Sequence, residues 1–124
     1  MKFLWNEFKY PHFKSCITND DIALLVVASC EPHALHLPVG TDKIIGKYIS
    51  KRVAEKSKKN IYILPYLKYG FSAHHMSFKG TITLRQLTFI SIVEDIIDCV
   101  IKAGLRNIII LNSHGCNNAS SQVA

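Results

Sequence analysis

Residues able to bind a divalent metal follow two apolar runs of this sequence. Glu31, His33 and Asp42 lie in one short segment just after the first run, and His114 lies just after the last. In an extended backbone, residues two apart project to the same side, so Glu31 and His33 can both reach one ion. Carboxylate oxygens and imidazole nitrogens together suit zinc, manganese or iron. The residue types and their spacing therefore indicate a divalent-metal site.

Asp42 would extend such a site to two ions. A carboxylate at the beginning of a helix can bridge a pair of ions, and two ions about 3.5–4 Å apart activate water and stabilise the tetrahedral intermediate of hydrolysis. The alternative is that each residue only caps a helix or hydrogen-bonds to the backbone, which is the usual role of a single Glu or His after a strand. The convergence of several such residues makes the metal site as plausible as this alternative, and the residue types alone leave both open.

The chain alternates between strand and helix patterns. Continuous apolar runs at residues 22–29, 61–66 and 107–112 predict strands, the first and third of them buried on both faces. Helical patterns occupy residues 41 to about 59 and 83 to about 103. This order predicts a parallel sheet flanked by helices, in which ligands collect beyond the carboxyl ends of the strands. Both halves of the candidate metal site fall at that edge.

Each predicted helix has an apolar face and recognisable ends. Thr41 is the predicted N-cap of the first helix. Thr83 and Gln86 form a predicted capping box for the second, and Gly104 is expected to end it in a left-handed turn. The stripe expected to face the core in the first helix is Ile44, Ile45, Tyr48, Ile49 and Val53. That of the second helix is Leu87, Ile90, Val93, Ile97 and Val100 or Ile101.

The loop after the second predicted strand, residues 70–80, adds two histidines to the same edge. His74 and His75 could both line the cleft, although a surface position is the favoured interpretation for His74. The hydroxyl residues of this loop lack a nucleophile motif, since no GxSxG elbow occurs. Neither a GxGxxG segment nor a phosphate-binding loop is present.

Length and composition describe one globular domain. The chain has 124 residues, of which 48% are apolar and 19% charged, enough for a single core. No apolar run reaches the roughly 20 residues that span a bilayer, and residues 1–10 lack the features of a signal peptide. We therefore expect a cytoplasmic protein without a membrane segment. The four cysteines form no CxxC pair and are expected to be free thiols, mostly buried.

A formal charge of +6 raises the question of nucleic-acid binding. The basic residues that cluster locally are Lys51, Arg52, Lys56, Lys58 and Lys59. The cluster also contains Glu55 and lies at the end of a predicted helix, where cations interact favourably with the helix dipole. Interleaved aromatic residues and nucleic-acid motifs are absent. We interpret the cluster as a solvated helix face and expect no nucleic-acid partner.

Three segments of the chain resemble the signature blocks of the creatininase family. The first, at residues 31–42, is EPHALHLPVGTD, where the family usually has Glu-Gln-His-Gly-x-His-Leu-Pro. The second, at residues 69–84, is YGFSAHHMSFKGTITL, and the third, at residues 111–119, is LNSHGCNNA. All three occur in the family's order. The resemblance implies a three-layer α/β sandwich with a mostly parallel sheet and a two-metal centre that hydrolyses carbon–nitrogen bonds of amides.

The resemblance also implies roles for individual residues. The metal ligands would be Glu31, His33, Asp42 and His114, with Asp42 bridging two ions of zinc, manganese or iron. His36 would support the ligands or the substrate, and His75 would face the cleft, so both are candidate catalytic residues. A small-molecule amide would be the substrate, and the protein would form a homo-oligomer.

The chain departs from the family pattern at several positions. Pro32 replaces Gln, Ala34 replaces Gly, His74 replaces Glu and Lys79 replaces Pro. Cys116 stands at a position that is Gly in most members and a metal-binding Glu in creatininase itself, which argues against creatinine as the substrate. A cysteine can ligate a metal as thiolate, but the favoured interpretation of Cys116 is that it does not.

The family runs to about twice this length, so residues 1–124 read as a single partial domain that is apparently truncated. Within the family, creatinine ring opening, deformylation of a pyrimidine intermediate and cleavage of a peptide-derived cofactor precursor are all compatible with the motifs. The resemblance thus implies an amidohydrolase acting on a small cyclic or formylated amide. The alternative is a non-catalytic remnant that folds and binds metal or self-associates without turnover.

Overall fold

The computed structural model describes residues 4–124 and contains one parallel three-stranded sheet. The central strand, β1 (Ile22–Val27), lies between β2 (Ile61–Ile63) and β3 (Asn107–Asn112). Ile22 is level with the first residue of each neighbouring strand. The aliphatic residues of β1 after its first position are all buried, as expected for a strand covered on both faces. The predicted parallel α/β architecture is confirmed.

Within residues 4–124, four helices flank the sheet. They are α1 (Tyr10–Ser15), α2 (Thr41–Lys56), α3 (Gln86–Lys102) and α4 (Asn118–Val123). Short 3₁₀ turns cover Trp5–Glu7, Ala73–His75 and Gly115–Asn117. No helix within residues 4–124 combines the length and apolar character needed to cross a membrane.

Alternate side chains of β1 pack into two separate apolar layers. Leu25 and its same-face neighbours join a cluster with Phe89 and Val93 of α3. Leu24 and its neighbours pack on the opposite face with Ala54 of α2. A helix therefore covers each face of the sheet, and the expected three-layer sandwich is confirmed.

The predicted core-facing stripe of α2 is wrong. Its five members are between 39% and 67% exposed: Ile44, Ile45, Tyr48, Ile49 and Val53. The face that packs on the sheet consists of small or polar residues four apart, namely Asp42, Gly46, Ser50 and Ala54. The helix lies so close to the sheet that a Cβ atom at Gly46 would be 2.4 Å from Val26 Cγ1. The buried face of α2 is therefore the one whose small residues let the helix approach the sheet closely, and not the one with apolar periodicity.

The predicted N-terminal caps of both long helices are also wrong. Gly40 precedes α2, and Thr41 is its first residue, with its hydroxyl donating to the Pro38 carbonyl at 2.6 Å. Helix α3 begins at Gln86 without a side-chain cap. The Thr83 hydroxyl instead accepts a hydrogen bond from the backbone N–H of Ser72 at 2.8 Å. It ties down the loop after β2.

The buried face of α3 is formed by Phe89, Val93 and Val100. The expected face included Leu87, which is 78% exposed and lies outside the core. The end of α3 is as predicted: Gly104 has φ +101°, and the following N–H of Leu105 bonds back to the Val100 carbonyl at 3.3 Å.

Strand β3 was expected to be buried on both faces and is not. Ile109 is 43% exposed, because its side chain faces the side of the sheet where a groove remains between α2 and the edge strand β3. The exposed stripe of α2 continues into this region, since Tyr48, Ile49 and Ile109 line one shallow groove.

The cysteines were expected to be free and mostly buried. All four are free, but three are exposed and only Cys30 is partly buried, so the expected burial is wrong.

Candidate metal centre

Three of the predicted ligands meet in a buried position beyond the carboxyl ends of the strands. Glu31 follows β1, Asp42 is the second residue of α2 and His114 follows β3. Each is at most 7% exposed. The parallel sheet brings them together because β1 and β3 are neighbours in register and both end at this edge. His33 lies beside them, with its side chain 26% exposed.

The carboxylate of Asp42 faces one imidazole with each oxygen. Its Oδ1 lies 2.9 Å from Nε2 of His33, and its Oδ2 lies 3.0 Å from Nδ1 of His114. The approach of His114 does not have hydrogen-bond geometry, so Oδ2 is a buried acceptor without a hydrogen bond from the described residues. A buried, unsatisfied carboxylate oxygen is costly. A cation between the carboxylate and the two imidazoles would remove that cost.

Backbone carbonyls fix the orientation of both imidazoles. Nδ1 of His33 lies 3.0 Å from the Glu31 carbonyl oxygen, and Nε2 of His114 lies 3.1 Å from that of Phe71. A carbonyl only accepts, so these nitrogens donate, and in a neutral ring the other nitrogen carries its lone pair toward Asp42. Metal-binding histidines are usually held in this way by a carbonyl or carboxylate on the far nitrogen.

The carboxylate of Glu31 stands at the centre of the cluster. Its Oε1 lies 3.4 Å from Nδ1 of His114, and its Oε2 lies 3.0 Å from Nδ1 of His75. Burial raises the pKa of the Glu31 carboxyl group. The Ser72 hydroxyl, the hydrogen bond with His75 and the electrostatic interaction with the two histidines outweigh burial and hold that pKa below its ordinary value. Glu31 is thus kept ionised, as a metal ligand requires.

Two groups of side chains at this edge have the spacing of metal ligands. One contains Glu31, His33 and Asp42, and the other contains Glu31, His74 and His75. In each group the ligand atoms lie within 4.8 Å of one another. Glu31 belongs to both. The residues of the first group, with His114, fit a divalent cation by donor type, by orientation and by the unsatisfied oxygen of Asp42.

The two candidate catalytic histidines occupy different surroundings. His75 lies at the cluster, where it contacts Glu31 and where its carbonyl accepts a hydrogen bond from the Thr81 hydroxyl at 2.8 Å. His36 is exposed in the turn before α2 and makes no hydrogen bond within residues 4–124. The same turn holds Ala34 with φ +56°, a left-handed conformation that glycine adopts without strain. The structure therefore does not bring His36 to the ligands.

Two buried polar residues that sequence reasoning did not single out support the site. Ser72 is fully buried, and its hydroxyl contacts the Ser29 hydroxyl and lies 3.3 Å from Nε2 of His114. The amide of Asn117 accepts from the Phe71 N–H at 3.0 Å and donates to the Ala28 carbonyl at 3.1 Å. They join the loop after β2 to the ends of both other strands. The available signal was their place in the two loops that follow β2 and β3, where a polar side chain that becomes buried needs hydrogen-bond partners.

Comparisons with known proteins agree with this geometry. The sequence profile described as "Creatininase: Creatinine amidohydrolase" matches residues 6–124. The creatinine amidohydrolase of Pseudomonas putida is 28% identical over 115 residues, which cover 89% of this chain and 42% of that protein. The 3-dehydro-scyllo-inosose hydrolase of Thermotoga maritima is 28% identical over 96 residues, which cover 77% of this chain and 30% of that protein.

Solved structures show the same fold. One described as "Creatininase Mn" and a mutant creatininase of "Zn-Zn type" each align with a TM-score of 0.85 at 25% identity, covering 97% of this chain and 48% of theirs. The chain thus spans less than half the length of these relatives. Its described residues include the part of the fold in which the candidate ligands meet.

Proposed function

Because this chain belongs to the creatininase family, we propose that its candidate metal centre binds divalent cations and serves hydrolysis of a carbon–nitrogen bond in a small amide. The observation that carries the proposal is the carboxylate of Asp42. Both its oxygens face imidazole nitrogens oriented by backbone carbonyls, and one of them is buried without a hydrogen bond. Donors that converge in this way need a cation to be stable together.

We assign Glu31, His33, Asp42 and His114 as the ligands. Together they would hold two cations of zinc, manganese or iron, with Asp42 shared between them, since His33 and His114 face its two oxygens. When bound, such cations supply an activated water and stabilise charge on a tetrahedral intermediate. The creatininases whose structures are of the Mn and Zn–Zn types support this class of metal.

The chain's own residues then hold and orient the reacting groups. Burial around Asp42 excludes bulk water and strengthens the electrostatic interactions of the centre. His75 is hydrogen-bonded to Glu31 through Nδ1, which leaves Nε2 to exchange a proton with the leaving nitrogen. For His36, which is exposed in the turn before α2 and away from the ligands, the family motif supports a contact with the outer part of the substrate. Both catalytic roles are part of the proposal.

The substrate class that we propose is a small cyclic or formylated amide. Relatives whose names include hydrolases of creatinine and of an inosose support a small polar substrate. Cys116 at the position of a creatininase glutamate favours a substrate other than creatinine itself. We also propose that the protein works in the cytoplasm as a homo-oligomer. The outer edge of β3, which pairs with no strand of residues 4–124, and the exposed apolar stripe of α2 support self-association.

The test combines a hydrolysis screen with a ligand deletion. The purified protein, loaded with zinc or manganese, is assayed for release of amine or acid from a panel of cyclic and formylated amides. We expect turnover that disappears in the double variant His33→Ala, His114→Ala. His12→Ala is the matched control, because it removes an imidazole near the amino terminus that contacts Tyr62 rather than the centre. Bound metal without turnover of any amide would favour the non-catalytic remnant instead.

A further inference from the structure

Apolar side chains are exposed on the two loops that flank the candidate metal centre. The loop before α2 carries Glu31, and the loop before α3 carries His75. The exposed apolar residues of these loops include Leu37, Val39, Met76, Phe78 and Ile82, each between 39% and 56% exposed. Single exposed apolar residues are common, but an apolar patch next to a polar site is typical of a ligand-binding surface. None of the five has a part in the proposed hydrolysis.

Backbone contacts join the two loops into one surface. The N–H of Ile82 donates to the Cys30 carbonyl at 3.0 Å, and Cys30 directly precedes Glu31. A Cβ atom at Gly80 would lie 3.6 Å from Val39 Cγ1, so the loops also touch through side chains. Val39, Phe78 and Ile82 thus lie on adjoining segments beside the centre. We refer to these three residues as the apolar rim.

Phe78 is the member of the apolar rim that contacts the site. Its ring centroid lies 6.0 Å from that of His75, at an interplanar angle of 57°. Nδ1 of His75 lies 3.0 Å from Oε2 of Glu31 on its other side. Only one imidazole therefore separates the Phe78 ring from the buried carboxylate of Glu31.

Hydrogen bonds within the loop hold Phe78 in this position. Its N–H donates to the His75 carbonyl at 3.0 Å. The Thr81 hydroxyl lies 2.8 Å from the same carbonyl oxygen and 3.0 Å from that of Phe78. The turn is therefore fixed by its own backbone, while the Phe78 ring remains more than half exposed. A ring that is held in place and exposed loses little side-chain freedom when a ligand covers it.

We propose that Phe78 binds an aromatic group of the substrate, next to the amide that reacts at the metal centre. The rings of His75 and Phe78 already have the spacing of favourable aromatic pairs, about 4.5–7 Å between centroids, and a ligand ring extends that pair while it covers exposed apolar surface. The inference rests on the proposed function, because it adds an aromatic substituent to the small amide. Phe78 is a specificity residue in this account, and His75 keeps its proposed role.

Two hydroxamates test the inference without requiring turnover. Benzohydroxamate and acetohydroxamate both chelate a metal through two oxygens, and they differ in carrying a phenyl or a methyl group. Each is titrated into the zinc-loaded protein and followed by calorimetry. We expect benzohydroxamate to bind at least about 5-fold more tightly, the scale of one aromatic contact. In Phe78→Ala this preference should fall by about the same factor, while the affinity for acetohydroxamate stays the same.

Leu87→Ala is the matched control. It truncates another exposed apolar side chain, on α3 rather than on either loop, so the preference for benzohydroxamate should persist. Equal affinities for the two hydroxamates in the original protein, or a preference that Phe78→Ala leaves intact, would overturn the inference and leave the metal centre standing. An equal loss of affinity for both hydroxamates in Phe78→Ala would show a structural role for Phe78 and would also overturn it.

Failure of the proposed function has a different result. If the protein bound zinc but neither hydroxamate, both the hydrolytic function and this inference would be wrong. If it bound no zinc, the metal centre itself would be wrong, and this inference with it.

A measurement on the original protein decides the question if Phe78→Ala does not fold. In nuclear magnetic resonance spectra of the zinc-loaded complex, the phenyl protons of benzohydroxamate should show nuclear Overhauser effects to the Phe78 ring. Effects only to residues outside the apolar rim would place the phenyl group elsewhere and contradict the proposal.

Discussion

Two regions of this domain, the carboxyl edge of the sheet and the outer face of α2, differ in how well the sequence predicts their burial. The carboxyl edge of the sheet is polar and buried, and its ligand-type residues meet as their types and positions after the strands predicted. The outer face of α2 is apolar and exposed, although its periodicity predicted a core position. Residue type at a strand end is thus the stronger signal. Periodicity shows that a helix has two faces but not which of them packs.

The largest stability effect should come from the small face of α2. Gly46→Ala places a Cβ atom 2.4 Å from Val26 Cγ1 and 3.0 Å from the Ser113 hydroxyl. We expect a loss of about 1–3 kcal/mol in the free energy of unfolding, because the helix must move away from the sheet. Urea denaturation followed by circular dichroism measures it.

Gly115→Ala is the matched control for that substitution. A Cβ atom at Gly115 meets nothing within 4 Å, so the free energy of unfolding should change little. Equal losses in both variants would mean that α2 does not approach the sheet as closely as the structure shows.

Removing the buried hydroxyl behind His114 should weaken both stability and metal binding. Ser72→Ala leaves the Ser29 hydroxyl without its partner, which costs about 1–3 kcal/mol. Loss of the contact with His114 Nε2 should lower metal affinity by about 10-fold, since groups behind metal ligands contribute on this scale. Calorimetric titration with zinc measures the affinity. Ser77→Ala, at an exposed position, is the control. If its zinc affinity were as low as that of Ser72→Ala, the proposed role of the Ser72 hydroxyl behind His114 would be wrong.

A substitution in the turn between Glu31 and Asp42 should raise stability, by less than the preceding substitutions lower it. Ala34 has φ +56°, so Ala34→Gly relieves a left-handed strain of about 1–2 kcal/mol. The greater freedom of glycine in the unfolded chain offsets about 0.4–1 kcal/mol of that gain. The net result should be a rise in melting temperature. Ala73→Gly, at an exposed position with ordinary φ, should lower the melting temperature. A lower melting temperature in both variants would contradict the left-handed conformation of Ala34.

The smallest effect is expected on the outer face of α2. Ile44 is 54% exposed, so Ile44→Gln should change the free energy of unfolding by no more than about 0.5 kcal/mol. Its effect should fall on self-association, measured by sedimentation. Ala54→Gln, on the buried face of the same helix, should unfold the protein at a much lower urea concentration. A large loss in the free energy of unfolding for Ile44→Gln, without one for Ala54→Gln, would mean that the apolar stripe of α2 does face the core.

Much of the fold follows from local sequence. The aliphatic run of β1 and the left-handed Gly104 both do what their residue types predict, because burial and backbone conformation constrain them directly. The exposure of Ile109 was not predictable, since it depends on how far α2 covers the face of β3. The same holds for Thr83, whose partner is the distant Ser72 N–H rather than its own helix.

The candidate site divides in a similar way. Glu31 and His114 were placed by strand ends, which the sequence marks clearly. Ser72 and Asn117 were missed because their roles are hydrogen bonds between segments far apart in the chain. His36 illustrates the reverse: a motif position predicts a role, and the turn around it leaves the side chain exposed.

Metal analysis of Asp42→Asn tests the central claim most directly. Asparagine keeps the shape of the buried side chain but removes the charge that faces both imidazoles, and Asp20→Asn makes the same change at an exposed turn. After dialysis against zinc or manganese, we expect stoichiometric metal in the original protein and in Asp20→Asn, and loss of metal from the site around Asp42 in Asp42→Asn. An original protein without metal, or an Asp42→Asn variant that holds as much as the original, would contradict the account.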